Sequence, residues 1–399
     1  MDGVTGLVLP HAPWRERPGL DRLASVLGAE FGEARFVGGA VRDTLLGLDV
    51  HDLDLATIHA PDEVVRRLGA AKIKAIPTGI AHGTVTAVSS DTVVEVTTLR
   101  RDVSTDGRHA VVAYTNDWQE DAARRDFTIN ALYADPLGGR VYDWFGGLAD
   151  LAERRVRFIG DPYRRIAEDH LRILRFFRFH ARFGDQITED DLNACVARAN
   201  DLMALSRERV AAELVKLLVA RSAVPVIELM QERGIFRPIL PEVDAAGVRR
   251  LAELADRERA SGVAPDAIRR LAALLPADAA EGVGARLKLS NNDRKRLVLA
   301  NAGAGNEGPH GLAYRHGVQS ALDRLLLADD DVTALLGWTA PALPVSGGEL
   351  VARGLSKGPL VARTLKRIEA RWIAEGFPDP TRTASIVDEE VATALVDQR

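Results

Sequence analysis

The chain of 399 residues carries 52 Lys and Arg against 57 Asp and Glu, which gives a formal net charge of −5, and 46% of its residues are hydrophobic. This composition is ordinary for a folded protein of two or more structural units, and it argues against an overall basic coat for nucleic acid without excluding a local basic stripe. The single cysteine, Cys195, excludes an intramolecular disulfide, and we expect it to be buried in a protein of a reducing compartment. The N-terminal segment lacks the pattern of a secretion signal, and no apolar run is long enough to span a membrane, so we expect a cytoplasmic protein.

The most informative stretch is residues 36–57, with the sequence FVGGAVRDTLLGLDVHDLDLAT. Before it we expect a leader over residues 1–22 and a helix over residues 20–31. The stretch predicts a short apolar strand that ends at Val37, a turn at Gly38 and Gly39, and then a short helix and a second strand. The helix carries Arg42 and Asp43, and the second strand carries Asp52 and Asp54. This succession of elements is typical of a site for a metal ion and a nucleotide.

Two carboxylates in this stretch are expected to lie side by side. Asp52 and Asp54 are two residues apart on the second strand, so both point to one face, while Leu53 and Leu55 point into the core. Adjacent carboxylates repel each other unless a cation lies between them, and Mg²⁺ binds through one or two carboxylates together with substrate phosphates. We therefore expect Asp52 and Asp54 to be metal ligands, although an Asp-Leu-Asp sequence alone is more often the solvated end of a strand.

The pair Gly38 and Gly39 supplies the other half of the expected site. Glycine adopts positive φ angles and lets backbone N–H groups approach a phosphate, and the helix N-terminus after the turn adds partial positive charge. A triphosphate would bridge this turn and the two aspartates. A Gly-Gly pair alone is usually only a turn, so the prediction depends on the two features occurring together.

The next part of the chain is expected to complete a sheet. Pro61 and the acidic residues after it are typical of a helix N-terminus. Alternating β-branched residues then predict strands over residues 72–76, 84–88 and 92–98. Glu95 lies between two valines of the third strand, where it either faces solvent or provides a third catalytic carboxylate beside the aspartates.

Two further segments contribute to the expected site. Residues 100–118 follow no period, and we expect a mobile loop over the site. After it, Arg124 and Arg125 suit a triphosphate, because guanidinium groups fit phosphate oxygens, although paired arginines alone are more often a solvated helix face. Asp126 and Asn130 offer hydrogen-bond partners to sugar hydroxyls.

From about residue 161 the strand patterns stop, and nearly everything that follows is amphipathic helix. The expected fold class is therefore α+β, with a head built on a mixed sheet and an all-α neck, body and tail. The expected boundaries are 1–22 for the leader, 23–160 for the head, 161–235 for the neck, 236–340 for the body and 341–399 for the tail.

Residues 166–183 are expected to form one helix that reads a nucleotide base. On a helix, Glu168, Arg172 and Arg175 follow one stripe, with Asp169 beside Arg172. An aspartate that accepts from an exocyclic amine, next to an arginine that donates to the neighbouring ring nitrogen, would accept cytosine and adenine and reject uracil and guanine. The alternative is a structural ion pair between Asp169 and Arg172.

Five motifs occur in an order that resembles the class II CCA-adding enzymes and the bacterial poly(A) polymerases. They are GGAVRD at 38–43, Asp-Leu-Asp at 52–54, RRDFTINA at 124–131, Tyr142-Asp143 with Gly146-Gly147, and Glu168-Asp169 with Arg172 and Arg175. The sequence SRER at 206–209, before an expected helix at 213–218, resembles the last motif of the family. The resemblance covers residues 30 to about 220.

The resemblance implies a polymerase-β-like nucleotidyltransferase head followed by helical domains. It implies Asp52 and Asp54 as metal ligands, Gly38, Gly39, Arg42, Arg124, Asp126 and Asn130 as nucleotide ligands, and Glu168, Asp169 and Arg172 as the base-selecting residues with Arg175 in support. It also makes the loop at 100–118 a candidate for the element that helps to switch from C to A addition. The implied substrates are the 3′ end of tRNA, CTP and ATP, and no protein partner is implied.

The implied reaction is template-independent addition of C, C and A by phosphoryl transfer with two Mg²⁺ ions, releasing pyrophosphate. The alternatives are a bacterial poly(A) polymerase, an enzyme that adds only C or only A, and a non-catalytic RNA-binding protein that retains the fold. The pair Asp169 and Arg172 and the acidic character of residues 376–399 argue against the first, and the intact carboxylates argue against the last.

A basic cluster further along the chain is a weaker candidate for RNA contact. Its members are Lys288, Arg294, Lys295 and Arg296. Such a cluster suits a phosphate backbone, but an exposed helix face is an equal alternative.

Overall fold

The structure is a computed structural model that describes residues 3–105, 110–303 and 307–397. The chain folds into two compact units, Met1–Pro241 and Glu242–Arg399. All strands of the described residues belong to the first unit, and the described part of the second unit is helical. The predicted class, an α+β head followed by helices, is confirmed. The finer predicted domain boundaries stay predictions.

The first unit is built on a mixed sheet of eight strands. The strands of the chain are β1 (Val4–Val8), β2 (Ala34–Val37), β3 (Asp54–Thr57), β4 (Lys74–Gly79), β5 (Thr84–Ser89), β6 (Thr92–Thr98), β7 (Arg100–Thr105), β8 (Ala110–Tyr114), β9 (Tyr133–Ala134) and β10 (Arg140–Tyr142). The order in the large sheet is β1, β10, β9, β2, β3, β6, β5, β4, and β7 pairs with β8 in a separate ribbon. Every neighbouring pair is antiparallel except β3 with β6, which is parallel.

Several helices of the first unit start at residues that favour a helix N-terminus. They are α1 (Leu20–Val26), α2 (Gly39–Leu45), α3 (Pro61–Ala70), α4 (Trp118–Ala123), α5 (Gly147–Ala152), α6 (Pro162–Glu168), α7 (Arg172–Phe183), α8 (Glu189–Ala197), α9 (Arg207–Leu218) and α10 (Ala223–Glu232). Pro61 occupies the first turn of α3, and the Ser206 hydroxyl accepts the Arg209 N–H at the start of α9. Asp143 accepts four N–H groups, from Phe145 to Leu148, where α5 begins.

Alternation along β3 and β6 separates the core from the site. Leu55 on β3 and Val94 and Val96 on β6 are at most 1% exposed, so one face of this part of the sheet is buried. Because neighbouring residues of a strand point to opposite faces, Asp54 and Glu95 lie on the other face. The predicted alternation of aspartates and leucines therefore agrees with the structure.

Three predictions of local structure differ from what the structure shows. The segment expected as a leader contains β1, the edge strand of the sheet, which pairs with β10. The helix expected over 20–31 ends at Val26, because Gly28 takes a positive φ of 80°. The irregular loop expected over 100–118 was wrong: β7 and β8 form an antiparallel ribbon, and only its tip at 106–109 lies outside the described residues.

The second unit, over its described residues, is a set of packed helices. They are α11 (Ala245–Ala260), α12 (Ala267–Leu274), α13 (Ala280–Arg286), α14 (Asn291–Ala300), α15 (Pro309–His316), α16 (Val318–Ala328), α17 (Gly347–Ala352), α18 (Pro359–Ala374) and α19 (Pro380–Asp397). The last three helices share a core that includes Leu350, Ile368 and Ile386, each fully buried. None of the helices in the described residues is both long and apolar enough to cross a membrane.

Candidate active site

The three predicted catalytic carboxylates meet at one end of the parallel pair β3 and β6. The register places Asp54, the first residue of β3, directly beside Glu95, and Asp52 lies two residues before Asp54. All three line a cleft of about 930 Å³. The cationic side chains that line the same cleft include Arg17, Arg175 and Lys216.

The electrostatics of Asp54 fit a cation site. Burial raises the pKa of Asp54; the Arg125 guanidinium opposes this, while the charges of Glu95 and Asp52 raise the pKa further. No three His, Cys, Asp or Glu side chains of the described residues converge as a complete ligand cage. A site of one or two carboxylates, completed by water and substrate oxygens, is the arrangement that Mg²⁺ prefers.

The Gly38 turn joins β2 to α2 and requires glycine. Gly38 has φ 67° and ψ −119°, a conformation that is essentially restricted to glycine. A Cβ atom at Gly38 would lie 3.6 Å from Arg125 Nη1, so this guanidinium is next to the turn. Gly39 starts α2 with no positive φ, and a Cβ there would meet only Arg42 Nη2, at 3.8 Å.

Arg42 is buried beneath the turn rather than presented to the cleft. Its Nε donates to Asp43 at 2.8 Å, and its Nη1 donates to Asn130 Oδ1 at 2.5 Å. Its guanidinium also lies 4.2 Å from the centre of the Phe183 ring. With these partners Arg42 connects α2 to the segment of Asn130.

Asp126 links the head to α7. Its Oδ1 accepts from Asn130 Nδ2 at 2.9 Å, and its Oδ2 accepts from Arg175 Nε at 2.7 Å. Burial alone would raise the pKa of Asp126, but Arg175 and the hydrogen bond from Asn130 outweigh burial and bring it to about 2. Arg42 and Arg175, which are distant in sequence from Asp126 and Asn130, therefore form one charged network with them.

The two predicted phosphate-binding arginines are both anchored on Asp121. Asp121 is 1% exposed and accepts from Arg124 Nε at 2.9 Å and from Arg125 Nη2 at 3.2 Å. Burial would raise the pKa of Asp121, but the two arginines and the Tyr133 hydroxyl lower it to about 2. Of the pair, Arg125 is the one beside Gly38 and close enough to Asp54 to affect its pKa.

The single helix expected over 166–183 was wrong, because the chain breaks between α6 and α7. Asp169 has φ −152° and ψ 107°, which is extended backbone. The Asp169 carboxylate accepts the N–H of Leu171 at 3.1 Å. Such local side-chain bonds compete with helix hydrogen bonds and explain the break.

The break changes the partners of the predicted base-selecting residues. Asp169 does not pair with Arg172; its two oxygens accept from Nη2 of Arg209 at 3.0 and 2.8 Å. Arg172 donates to Glu168 at 2.6 Å and to the carbonyl oxygen of Arg124 at 2.9 Å. The structural ion pair of Asp169 with Arg172, which was the alternative to base selection, is therefore not formed, and the base-selecting role of the two residues stays a prediction.

The basic cluster of the second unit is largely engaged in ion pairs. Arg296 is 13% exposed and pairs with Asp323 at 2.5 Å and with Asp266 at 2.6 Å. Arg294 pairs with Glu281. Lys288 has a positive φ of 53° and also has a partner, whereas Lys295 lies on the surface. These contacts give Arg296 a structural role and do not favour the predicted RNA contact for it.

Two cations of the cleft were not identified from the sequence. Arg17 lies in the expected leader and donates from Nη2 to the carbonyl oxygen of Val50 at 2.9 Å and from Nη1 to that of His51 at 3.3 Å. It thus holds the two residues that precede Asp52. Lys216 lies near the end of α9, and the only signal for it was its place in the helix after the SRER motif.

Comparisons with known proteins place the chain in a family. The model of the poly A polymerase head domain matches residues 34–157, and the model of the probable RNA- and SrmB-binding site of polymerase A matches residues 186–246. The mitochondrial CCA tRNA nucleotidyltransferase 1 of Mus musculus is 34% identical over 382 residues, which cover 90% of this chain and 87% of that protein. The CCA-adding enzyme of Levilactobacillus brevis is 30% identical, over 89% of this chain and 94% of that protein.

Solved structures show the same relationship. The crystal structure of the Bacillus stearothermophilus CCA-adding enzyme in complex with CTP has a TM-score of 0.71 and 25% identity, and the match covers 96% of this chain and 99% of that one. The Thermotoga maritima CCA-adding enzyme complexed with tRNA shares the fold, with a TM-score of 0.63.

A mixed sheet that carries paired carboxylates beside a glycine turn, followed by helices, defines a nucleotidyltransferase of the polymerase head type. The extent and identity of the matches place the chain more narrowly. It belongs to the family of CCA-adding tRNA nucleotidyltransferases.

Proposed function

We propose that this protein adds C, C and A to the 3′ end of tRNA, using CTP and ATP and releasing pyrophosphate. The observation that carries the proposal is the cleft that Asp52, Asp54 and Glu95 line, in a chain 34% identical over nine-tenths of its length to a CCA tRNA nucleotidyltransferase. A cytoplasmic location stays a prediction, since the related proteins include both mitochondrial and bacterial forms.

Members of this fold use a divalent metal, and the residues present here fit one. Asp52 and Asp54 would hold Mg²⁺, because hard oxygen ligands and a low ligand count from the protein suit that ion. When bound, Mg²⁺ would activate the attacking hydroxyl and neutralise charge on the phosphates. Burial and the charges of Glu95 and Asp52 raise the pKa of Asp54 in spite of Arg125, so a bound cation would favour its charged form.

The nucleotide is proposed to bind between the Gly38 turn and the segment of α6 and α7. Backbone groups at Gly38 and Gly39 and the guanidinium of Arg125 would contact the phosphates. Asp126, Asn130 and Arg42 would act as one network, because they already share hydrogen bonds that include Arg175. This network fixes the position of Asn130, and Asn130 in turn would position the sugar of the nucleotide.

Base selection is proposed for the segment that bridges α6 and α7. Asp169 has an accessible carboxylate, with 30% of its side chain exposed, and would accept from the exocyclic amine of cytosine or adenine. Arg172, held by Glu168, would donate to the ring nitrogen. Arg124 adjoins this pair through its carbonyl oxygen.

The chemical step is a nucleotidyl transfer. The 3′-hydroxyl oxygen of the RNA attacks the α-phosphorus of the nucleotide, a new P–O bond forms, the bond to the β-phosphate oxygen breaks, and pyrophosphate leaves. Glu95, on the strand beside Asp54, would accept the proton of the hydroxyl. Asp52 and Asp54 position the reacting groups.

Primer extension would test the function directly. Three tRNA transcripts, ending before CCA, after CC and after CCA, are incubated with Mg²⁺ and with CTP, ATP or both. Growth that stops after CCA supports the proposal, whereas addition of only C or only A indicates a partial enzyme, and long A tails on unrelated RNA indicate a poly(A) polymerase. Asp52→Ala and Asp54→Ala should abolish addition while tRNA binding persists; turnover in both variants would contradict the assignment.

A further inference from the structure

A second cavity, of about 340 Å³, lies between α7 and α9. We call it the neck groove and define it by the cationic side chains that line it: Arg178, Arg182, Lys216 and Arg221. Val219 and Ala220 complete its lining, and no carboxylate residue contributes to it. In a chain with a net charge of −5, this is a local concentration of positive charge.

Three of these cations have acidic partners outside the groove. Arg178 donates to Glu213 at 2.5 Å, Arg182 lies 3.5 Å from Asp43, and Arg221 pairs with Asp185. Arg182 and Arg221 nevertheless leave 47% and 50% of their side chains exposed, so they are accessible to a ligand.

Lys216 is the exception among the four. Its side chain makes no hydrogen bond or ion pair with any residue of the described part of the chain, and it is exposed. It lines both the neck groove and the cleft that contains Asp52, Asp54 and Glu95. Lys216 therefore marks the junction between the reacting centre and the groove.

The arginines of α7 extend this junction into a row. Arg175 lines the cleft, and Arg178 and Arg182 follow it on the same helix at about one and two turns. Seven residues of α-helix correspond to roughly 10 Å. These arginines therefore extend away from the carboxylates over a distance greater than the size of one phosphate group.

We propose that the neck groove binds the phosphodiester backbone of the RNA strand whose 3′ end is extended, with Lys216 at the phosphate nearest to the reacting hydroxyl. The proposal rests on the proposed function, because it takes the ligand to be the RNA primer. The 3′-hydroxyl must reach the cleft of Asp52 and Asp54, so the strand behind it needs a cationic path that begins there. Lysine and arginine side chains are the usual partners of RNA phosphates.

The nucleotide triphosphate has the same phosphate chemistry, but its proposed partners lie elsewhere. The Gly38 turn and Arg125 do not line the neck groove. A triphosphate bound at that turn leaves the groove free for the second substrate. Experiments must therefore separate RNA affinity from nucleotide affinity.

The first measurement is the binding of a fluorescent tRNA that ends before CCA, without nucleotide or metal, over a range of KCl concentrations. Loss of one phosphate contact on a single strand reduces the magnitude of the slope of log K against log salt by about 0.7. If the variant and the unmodified protein bind equally at 1 M salt, the variant therefore binds about fivefold more weakly than the unmodified protein at 0.1 M salt. We expect this change for Lys216→Met, with near-normal binding restored by Lys216→Arg. The control is Lys74→Met, which removes an exposed lysine from edge strand β4 and should leave affinity and slope unchanged.

The second measurement is steady-state addition of C to the same tRNA. Lys216→Met should raise KM for tRNA and leave KM for CTP unchanged. A raised KM for CTP with unchanged tRNA binding would overturn the proposal and assign Lys216 to the nucleotide, and unchanged values for both substrates would overturn it as well.

If the unmodified protein adds no nucleotide but Lys216→Met still weakens tRNA binding, the proposed function fails while the RNA path stands. Thermal unfolding of Lys216→Met, expected to match that of the unmodified protein, excludes misfolding as the cause.

Discussion

At the scale of single residues, the charge of Asp54 opposes folding. Asp54 is more buried than Asp52 and Glu95, and burial raises its pKa, with further increases from its two acidic neighbours. The folded protein without metal therefore holds a charge that water would solvate better. A residue retained under this cost is expected to serve the reaction rather than the fold.

Asp54→Asn should make the metal-free protein more stable at neutral pH. The pKa of Asp54 is raised in the folded state. Asp54 therefore does not destabilise the fold at low pH, where it is protonated, and it destabilises the fold as the pH rises through the folded pKa. The amide carries no charge, so the gain in Tm should be largest near pH 8 and vanish near pH 4. Thermal unfolding in EDTA measures it, with Asp52→Asn, at an exposed position, as the matched control expected to change Tm less. A gain that does not depend on pH would contradict the electrostatic account.

Asp126→Asn should have the opposite effect. The pKa of Asp126 is about 2 in the folded protein, so its charge stabilises the fold above the unfolded pKa and loses this effect as pH falls through about 2. The shift corresponds to about 2 kcal/mol at pH 7, and Arg175 would in addition lose its buried partner. Urea unfolding should show a loss of this size at pH 7 and a smaller one at pH 3. Asp256→Asn, a surface carboxylate paired with Arg259, should change stability little at either pH.

At the scale of elements, the sequence predicted those features that depend on contiguous residues. The strand, turn and helix around Gly38, and the burial of Leu53 between two aspartates, follow from local patterns of two or three residues. The break at Asp169 could not be predicted, because helical periodicity continues across it while a single side-chain bond to Leu171 interrupts the backbone. Strand β1 was missed because its side chains are mostly exposed and show no buried alternation.

The loop before β3 is held in place by Arg17, which is distant from it in sequence. Arg17 donates to two successive carbonyl groups, those of Val50 and His51, and so fixes the backbone that presents Asp52. Arg17→Ala should weaken metal binding by about tenfold, since two hydrogen bonds of ordinary strength are lost. Direct Mn²⁺ binding, followed by electron paramagnetic resonance, measures this without catalysis.

The control for Arg17 is a neighbouring arginine with the same kind of contact. Arg22 donates to the carbonyl oxygen of Ala71, away from the carboxylates, and Arg22→Ala should leave Mn²⁺ binding unchanged. Arg17→Lys keeps the charge but cannot bond both carbonyl groups in the same way. If it binds Mn²⁺ as tightly as the unmodified protein, Arg17 acts through charge and not through the position of the loop.

At the scale of the whole molecule, the candidate site is held together by pairs that are far apart in sequence. Asn130 meets Arg42 across 88 positions, and Asp169 meets Arg209 across 40. Sequence patterns identified each of these residues or its motif but not its partner, because charge pairing over such separations is decided by the tertiary fold. For the same reason the basic residues of α14 resembled an RNA-binding face, although Arg296 is turned towards buried acids.

The contrast between Arg296 and Lys295 tests how the charges of the second unit are used. Arg296 on α14 joins Asp266, at the start of α12, to Asp323 on α16, which is fully buried. Arg296→Met would leave Asp323 with one of its partners removed, and breaking such a buried pair costs about 3 kcal/mol. We expect a lower urea midpoint for Arg296→Met with tRNA affinity retained in the folded fraction, and no change of stability for the surface variant Lys295→Met. A loss of tRNA affinity in Arg296→Met without a loss of stability would instead support the RNA contact predicted from the sequence.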